Sequence, residues 1–284
     1  GRELPRIVSS PIDSAALSSA QIDAAVRAHV RESRPLFRLD EDRLRALAPD
    51  LILTQRLCQV CALGSADVER AAAALPSRPS LVDLHPHTLG DMLDDVLRIG
   101  EAAGVPDRAR ELRAALEDRI DRVQRRLDGA ARPRVFCAEW LDPLMAAGHW
   151  VPEQVALAGG AEVLGRAGAR SRYVEWEAVR AAQPEVLLLM PCGLPMEQVR
   201  REWPRLTAQP AWETLPAARD GRVYLLDGPS YFSCPGPRLV DGVELLARVL
   251  HPERFPDPPP ASAALRVDEA PPCGTREIGI VSPD

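Results

Sequence analysis

The sequence predicts an α/β protein: two Rossmann-like lobes with parallel sheets, joined by a long backbone helix. Three observations predict it. Residues 43–55 (RLRALAPDLILTQ) are echoed by residues 177–191 (EAVRAAQPEVLLLMP). Each copy reads as a short amphipathic helix, a proline and acid that stop it, and an apolar run of buried-strand type. Helix and strand signals alternate around both copies, which is the pattern of a parallel sheet. Between the copies, Ala109, Leu112, Leu116, Ile120, Val123 and Leu127 keep the three- and four-residue spacing of one helix face. No Gly/Ser linker lies near that stretch, so it reads as a rigid strut.

The elements follow in order. A first lobe over residues 1–84 is expected to hold a helix over 20–30 capped by Ser18 or Ser19, and a short strand near 36–39. A helix over 41–47, a strand over 51–54, a helix over 66–75 and a strand over 80–84 complete it. Connecting helices fill 85–129: Leu89, Met92, Leu93, Val96 and Leu97 mark the first, and the second runs from Pro106 to a stop at Gly129. That second helix, some 22 residues and roughly 33 Å long, is enough to bridge two lobes. The second lobe, 130–255, has predicted strands over 134–138, 185–190 and 222–226. Its predicted helices cover 151–158, 175–182, 195–206 and 237–250. Residues 256–284, proline-rich and without periodicity, are expected to form a disordered tail.

Composition narrows the function. At 284 residues the chain suits two lobes of roughly 100–130 residues. A net charge of −6 with no basic stripe speaks against a nucleic-acid binder, and no apolar run approaches a membrane span. All 35 cationic Lys+Arg positions are arginine, so Schiff-base and P-loop lysine chemistry is excluded. The chain opens without methionine and reaches a strand-like Arg6-Ile7-Val8 at once, which leads us to expect a true N-terminus upstream.

Ligands of open α/β sheets bind at the carboxyl ends of the strands. Both copies of the repeated phrase end there in cysteine loops, Cys58 and Cys61 in one and Cys192 in the other, so the two loops are expected to face one cleft. Three readings stand for these thiols: metal ligation by Cys58, Cys61 and Cys192 with Cys234 as a fourth, a Cys58–Cys61 disulfide, or plain packing. Cys137, in mid-strand, reads as core, and Cys273 lies in the tail. Trp140 and Trp150 fall in a predicted loop after strand 134–138, and Tyr231 and Phe232 in the loop after 222–226. Such rings supply flat apolar surface to a large ligand, although Trp150 also reads as a core plug at a helix start. His149 shares the Trp150 loop. His85 and His87 form a His-x-His that binds metal or marks the turn into the helical section. Glu139 and Asp142 lack a partnered nucleophile and read as hydrogen-bonding groups or, at Asp142-Pro143, as a turn. Arg56 and Arg238 suit an anionic ligand group; Arg238 starts a helix, where a cation opposes the dipole.

Several segments together resemble a known family: Pro49 to Gln55 (PDLILTQ), Leu57 to Ala62 (LCQVCA), Glu139 to Pro143 (EWLDP), Ala147 to Glu153 (AGHWVPE), Met190 to Gly193 (MPCG) and Tyr231 to Arg238 (YFSCPGPR). In order and spacing the chain is similar to the helical-backbone class of solute-binding proteins of ABC importers, most of all to its cobalamin-binding branch, over about residues 1–252. The resemblance implies cobalamin or a related corrinoid as ligand and no catalytic cofactor. It implies no covalent chemistry, a small hinge motion, and a working place outside the cytoplasmic membrane. For such a ligand the candidate contacts are Gln55, Arg56, Cys58, Trp140, His149, Trp150, Cys192, Tyr231, Phe232 and Arg238. Docking to a permease through surface acids points to Asp67 or Glu69 and to Glu197, where helix dipoles favour acids in any case. It also implies a strand and a ligand-contacting turn upstream of Gly1, so the first lobe is expected to be incomplete at its start. An iron-chelate or haem receptor is the alternative within the class, with His149 and Tyr231 as axial candidates. The rival from another class is a cytoplasmic cysteine-ligated metalloprotein, since the two lobes also resemble nitrogenase-like proteins.

Overall fold

In the computed structural model, residues 4–55 and 65–267 are described. Chain order begins with β1 (Val8–Ser9), α1 (Ser19–Arg31), β2 (Arg38–Leu39), α2 (Glu41–Leu47), β3 (Leu51–Gln55), α3 (Ser65–Ala73) and β4 (Ser80–Leu84). Asp40 caps α2 by accepting the Arg43 N–H at 2.9 Å, and Ala48, in the left-handed region before Pro49, ends it. The strand that follows pairs in parallel with β4, Leu51 with Ser80 through Gln55 with Leu84. The first lobe is small. Its core is Leu44, Ala71 and Leu75, with Ile7, Leu39 and Ile52 packed against them.

Two helices follow, α4 (Leu89–Ala102) and α5 (Pro106–Arg126). They fold back on each other: Arg113 meets Asp94 at 2.5 Å, and Gly100 lies so close to Ala109 that a Cβ there would sit 2.2 Å from the Ala109 Cβ. The strut is therefore a hairpin rather than one rod. Of the predicted stripe, Ala109, Leu116, Ile120, Val123 and Leu127 are buried, while Leu112 faces solvent. At 21 residues α5 spans about 32 Å.

The second lobe comprises β5 (Arg134–Leu141), β6 (Leu144–Ala146), α6 (Val151–Leu157), β7 (Ala161–Glu162), β8 (Arg172–Tyr173), α7 (Trp176–Ala182) and β9 (Val186–Leu189). It continues with α8 (Met196–Thr207), α9 (Pro216–Arg219), β10 (Val223–Leu226), α10 (Gly228–Tyr231), α11 (Arg238–Leu250) and β11 (Ala264–Arg266). Its sheet runs β11-β10-β9-β5-β6-β8, with β7 paired to β5. The centre, β10-β9-β5, is parallel, and β11, β6 and β8 add antiparallel edges, so the sheet is mixed. Every residue of β9 is buried because both faces are covered. Val135, Cys137, Val186 and Leu188 face a core shared with α4, α5, α6 and α11. Phe136, Ala138, Leu187 and Leu189 face a second core on the opposite side.

Three expectations need correction. The segment from 256 is not structureless throughout: Leu226 pairs with Ala264 and Tyr224 with Arg266, so β11 closes the sheet edge. Short apolar stretches such as Ala263-Ala264-Leu265 carry no periodicity, and only the free edge of β10 reveals their role. The lobes are unequal, because the hairpin shares its core with the second lobe alone. The helix expected in the first lobe, α1, packs on the second: Ile22 joins the core of Phe136 and Leu189. Among the described residues no helix is long and apolar enough to cross a membrane.

Candidate functional site

β9 and β10 end nearly level, Leu189 pairing with Leu225, and β5 runs three residues past the Ala138–Leu189 pair to Leu141. The Cys192 N–H donates to the Glu139 carbonyl at 3.0 Å, joining two of the outgoing segments. Tyr231, half-buried, ends α10, and the exposed Arg238 guanidinium lies 4.9 Å from its ring centroid. That ring face offsets the unfavourable placement of a cation at the start of α11. Cys234 is an exposed residue whose thiol pKa is raised by partial burial and by nearby Cys192.

On the hairpin side, Gln55 and Leu84 pair at the ends of their strands, so Gln55 and the exposed His85 leave the same end of the first-lobe sheet. The turn that follows is held by a capping box. The Thr88 hydroxyl accepts the Asp91 N–H, and the Asp91 carboxylate accepts those of His87 at 2.8 Å and Thr88 at 2.9 Å. Burial pushes Asp91 up, but those N–H groups outweigh it and hold the carboxylate below its ordinary range. His87 Nε2 lies 3.0 Å from His85 Nε2, with the rings T-shaped. The His149 ring stacks over His87 at 5.8 Å between centroids and lies 5.7 Å from Trp150.

His149 has a left-handed backbone, φ 51°. It is held there by donating to the Ala169 carbonyl at 2.6 Å and accepting from the Gly168 N–H at 2.9 Å. Gly148 before it is required by close approach: a Cβ would sit 2.4 Å from both the Ala169 carbonyl oxygen and the Ser171 nitrogen. Strained backbone of this kind clusters at functional sites. Burial, then the neighbouring His87, Arg170 and His85, lower the His149 pKa, which keeps the ring neutral at pH 7. Among the described residues, its Nε2 and the Nδ1 of His87 are buried without a hydrogen-bond partner. Imidazole nitrogens placed in this way suit a metal or a donor group on a ligand. Among the described residues no three His, Cys, Asp or Glu side chains converge on one metal position.

The remaining candidates separate. Trp150 and Phe232, each 3% exposed, are buried on the hairpin side of the sheet. Trp140 is not in a loop; β5 runs on to Leu141, and the half-buried Trp140 packs on the opposite face. The two tryptophans therefore do not share a surface, because the β5–β6 turn at Asp142 and Pro143 places one before and one after a strand reversal. Glu139 directs its carboxylate inward, accepting from the Ser171 hydroxyl at 2.7 Å and the Gly148 N–H at 3.3 Å. Cys137 is core, its thiol pKa pushed well up by burial. Arg56, Cys58, Cys61 and Cys273 lie outside the described residues. Asp67, Glu69 and Glu197 are exposed at helix starts, Asp67 paired with Arg70 and Glu197 with Arg200. Sequence reasoning missed Gln154, whose side chain donates to the carbonyls of Tyr231 and Leu239 at 3.2 and 2.8 Å and ties α6 to the Tyr231 loop. A glutamine among the apolar residues of α6 is the signal that would have found it.

A large α/β lobe and a smaller one, with a helical hairpin between them, form the architecture of a two-lobed binding protein. The chain belongs to the family described as periplasmic binding protein, whose profile matches residues 32–229, and within it to the helical-backbone class. No curated protein sequence matches the chain. Among solved structures it is similar to an ABC transporter substrate-binding protein from Listeria monocytogenes EGD-e, at 18% identity and TM-score 0.63 over 74% of this chain and 80% of that one. It is similar to the heme-binding protein RhuT of Roseiflexus sp. RS-1 in apo form, at 23% identity and TM-score 0.60, covering 76% and 81%. It is also similar to the vitamin B12 binding protein BtuF of Vibrio cholerae, at 18% identity and TM-score 0.57, covering 75% and 78%. At these identities the likeness establishes the fold.

Proposed function

We propose that the protein binds a metal-centred macrocycle, a corrinoid first of all, and delivers it to a membrane permease without covalent chemistry. The observation that carries this reading is a pair of ring runs, His85–His87–His149–Trp150 and Phe232–Tyr231 with Arg238 over it, tied together by the Trp150 indole N–H to the Phe232 carbonyl. Their inner members, Trp150 and Phe232, form a rigid base, and the outer His85, His149, Tyr231 and Arg238 offer the flat and polar contacts a large ligand requires. Gln55 at the end of β3, Cys192 after β9 and Cys234 after α10 complete the proposed lining, with Arg56 and Cys58, which follow Gln55 in the sequence. A vitamin B12 binding protein among the fold relatives supports the choice of corrinoid. Working outside the cytoplasmic membrane, and docking through Asp67 or Glu69 and Glu197, belong to the same proposal.

Titration with cyanocobalamin and with cobinamide tests it: saturable heat at micromolar ligand is expected. No heat and no spectral change with either would overturn it. A second reading, haem, is favoured by the three imidazoles and Tyr231 near one junction. Reconstitution with hemin separates the two, since axial ligation by His149 or Tyr231 gives a Soret band that the corresponding variant loses.

A further inference from the structure

The first lobe reaches across to the second and grips it. Val8 pairs with Leu39, and Ile7 accepts the Asp40 N–H at 2.8 Å, so both ends of residues 10–37 are rooted in the first lobe. Between those roots the chain crosses to the second lobe and returns. Gln198 of α8 donates to the carbonyls of Ser14 at 2.9 Å and Leu17 at 2.6 Å. Glu202, one turn further along α8, accepts the Ser19 N–H at 2.6 Å and the Ser19 hydroxyl through its other oxygen. Ser19, Gln198 and Glu202 are all buried, and Glu202 sits at the first turn of α1, where the helix dipole favours an anion. Ile22 enters the core of Phe136, Ala138, Leu187 and Leu189, with Leu17 and Val26 beside it. Further along, the Tyr173 hydroxyl donates to Asp23 at 2.9 Å, and Arg27 bonds Asp23 at 2.7 Å while lying over the Tyr173 ring.

The helical hairpin covers one face of the second-lobe sheet, through Leu116, Ile120 and Val123 against Val135, Cys137 and Leu188. The crossing segment holds the other face, since Phe136 and Ala138 alternate with those residues along β5. Two tethers thus join the lobes on opposite sides of one sheet. A rotation of the first lobe about the hairpin must pull the second tether. We propose that residues 14–31 form a clasp that holds the lobes closed and releases from α8 when they open. A buried interface with two hydrogen bonds to one carboxylate and two from one amide has two discrete states, attached or released, which is the property a gate needs. This goes beyond the reading of the ligand and does not depend on it.

The experiment needs no solute. Spin labels at Ser77→Cys in the first lobe and Arg219→Cys in the second report the inter-lobe distance, in a background where Cys58, Cys61, Cys192, Cys234 and Cys273 are serine. Gln198→Ala/Glu202→Ala removes the named polar anchors on α8, and Ile22→Asp removes the apolar one. Amide exchange of residues 19–31 is expected to rise roughly tenfold or more in each variant, while exchange in α11 stays unchanged. The distance distribution, narrow in the parent, is expected to broaden and move to longer values. Faster exchange of residues 19–31 with an unaltered distance distribution overturns the clasp. Unaltered protection of residues 19–31 in both variants overturns it as well.

Discussion

The Trp150 indole N–H donates to the Phe232 carbonyl oxygen at 2.7 Å, and this bond joins the start of α6 to the end of α10 inside the core. Both side chains are buried, so water cannot replace the partner if the indole is lost. Trp150→Phe keeps most of the apolar volume and orphans the carbonyl. A stability loss of about 1–3 kcal/mol is expected, read from the urea midpoint, together with weaker cyanocobalamin binding as the Tyr231 loop loosens.

His149 makes folding pH-dependent in a defined direction. Its folded pKa lies below the ordinary 6.5, chiefly through burial. Between those two values the unfolded chain binds more protons than the folded one, so stability rises with pH there. The contribution is complete above pH 6.5 and is lost as pH falls through the folded pKa. His149→Asn tolerates the left-handed backbone and removes the titration. Denaturant midpoints measured from pH 7.5 down to pH 5 should fall more steeply for the parent than for this variant; equal slopes would refute the assignment.

Gly148→Ala places a methyl group against the backbone of residues 169–171. The loop carrying His149 must shift, since backbone atoms cannot yield as a side-chain tip would. Cyanocobalamin affinity is expected to drop at least as strongly as stability, which should fall by about 1–3 kcal/mol. Isothermal titration beside thermal melting checks the pair.

Arg119 on α5 bonds Glu244 at 2.7 and 2.9 Å and Asp241 at 2.5 Å on α11, and these contacts raise its pKa. The group is partly exposed, so water and salt moderate the gain. Arg119→Met is expected to cost about 1 kcal/mol in low salt and less in 1 M sodium chloride, measured by urea unfolding. An identical cost at both salt concentrations would show that lost packing, not charge, dominates.

Glu197 and Asp67 are exposed, and each pairs with an arginine on its own helix. Charge reversal, Glu197→Arg with Asp67→Arg, should leave the melting temperature and ligand binding nearly unchanged, as surface substitutions usually do. Ligand uptake by cells carrying the cognate permease should fall sharply. Uptake at the parent rate would remove both acids from the docking surface.

Much of the fold was legible in the sequence because its signals are local. Asp40, Pro49 and Asp50 bracket one helix–strand unit, and β9 shows as an unbroken apolar run. The candidate site was legible only in pieces. His85, His87 and His149 stand far apart in the chain, and nothing in their spacing says that the rings stack. Trp140 and Trp150 looked like neighbours, yet a hairpin between them sends their side chains to opposite faces. β11 was missed because three unremarkable residues become a strand only beside the open edge of β10.

Local chemistry, then, was enough to name the helices, the buried strands, the strut and the family resemblance, since capping, periodicity and proline act over a few residues. Tertiary structure alone decided which face each ring occupies, that the strut is a hairpin, and that α1 leaves its own lobe to pair Ser19 with Glu202. Those outcomes depend on which buried polar groups and free sheet edges meet across long chain separations. Such meetings are set by packing in three dimensions, not by the residues on either side.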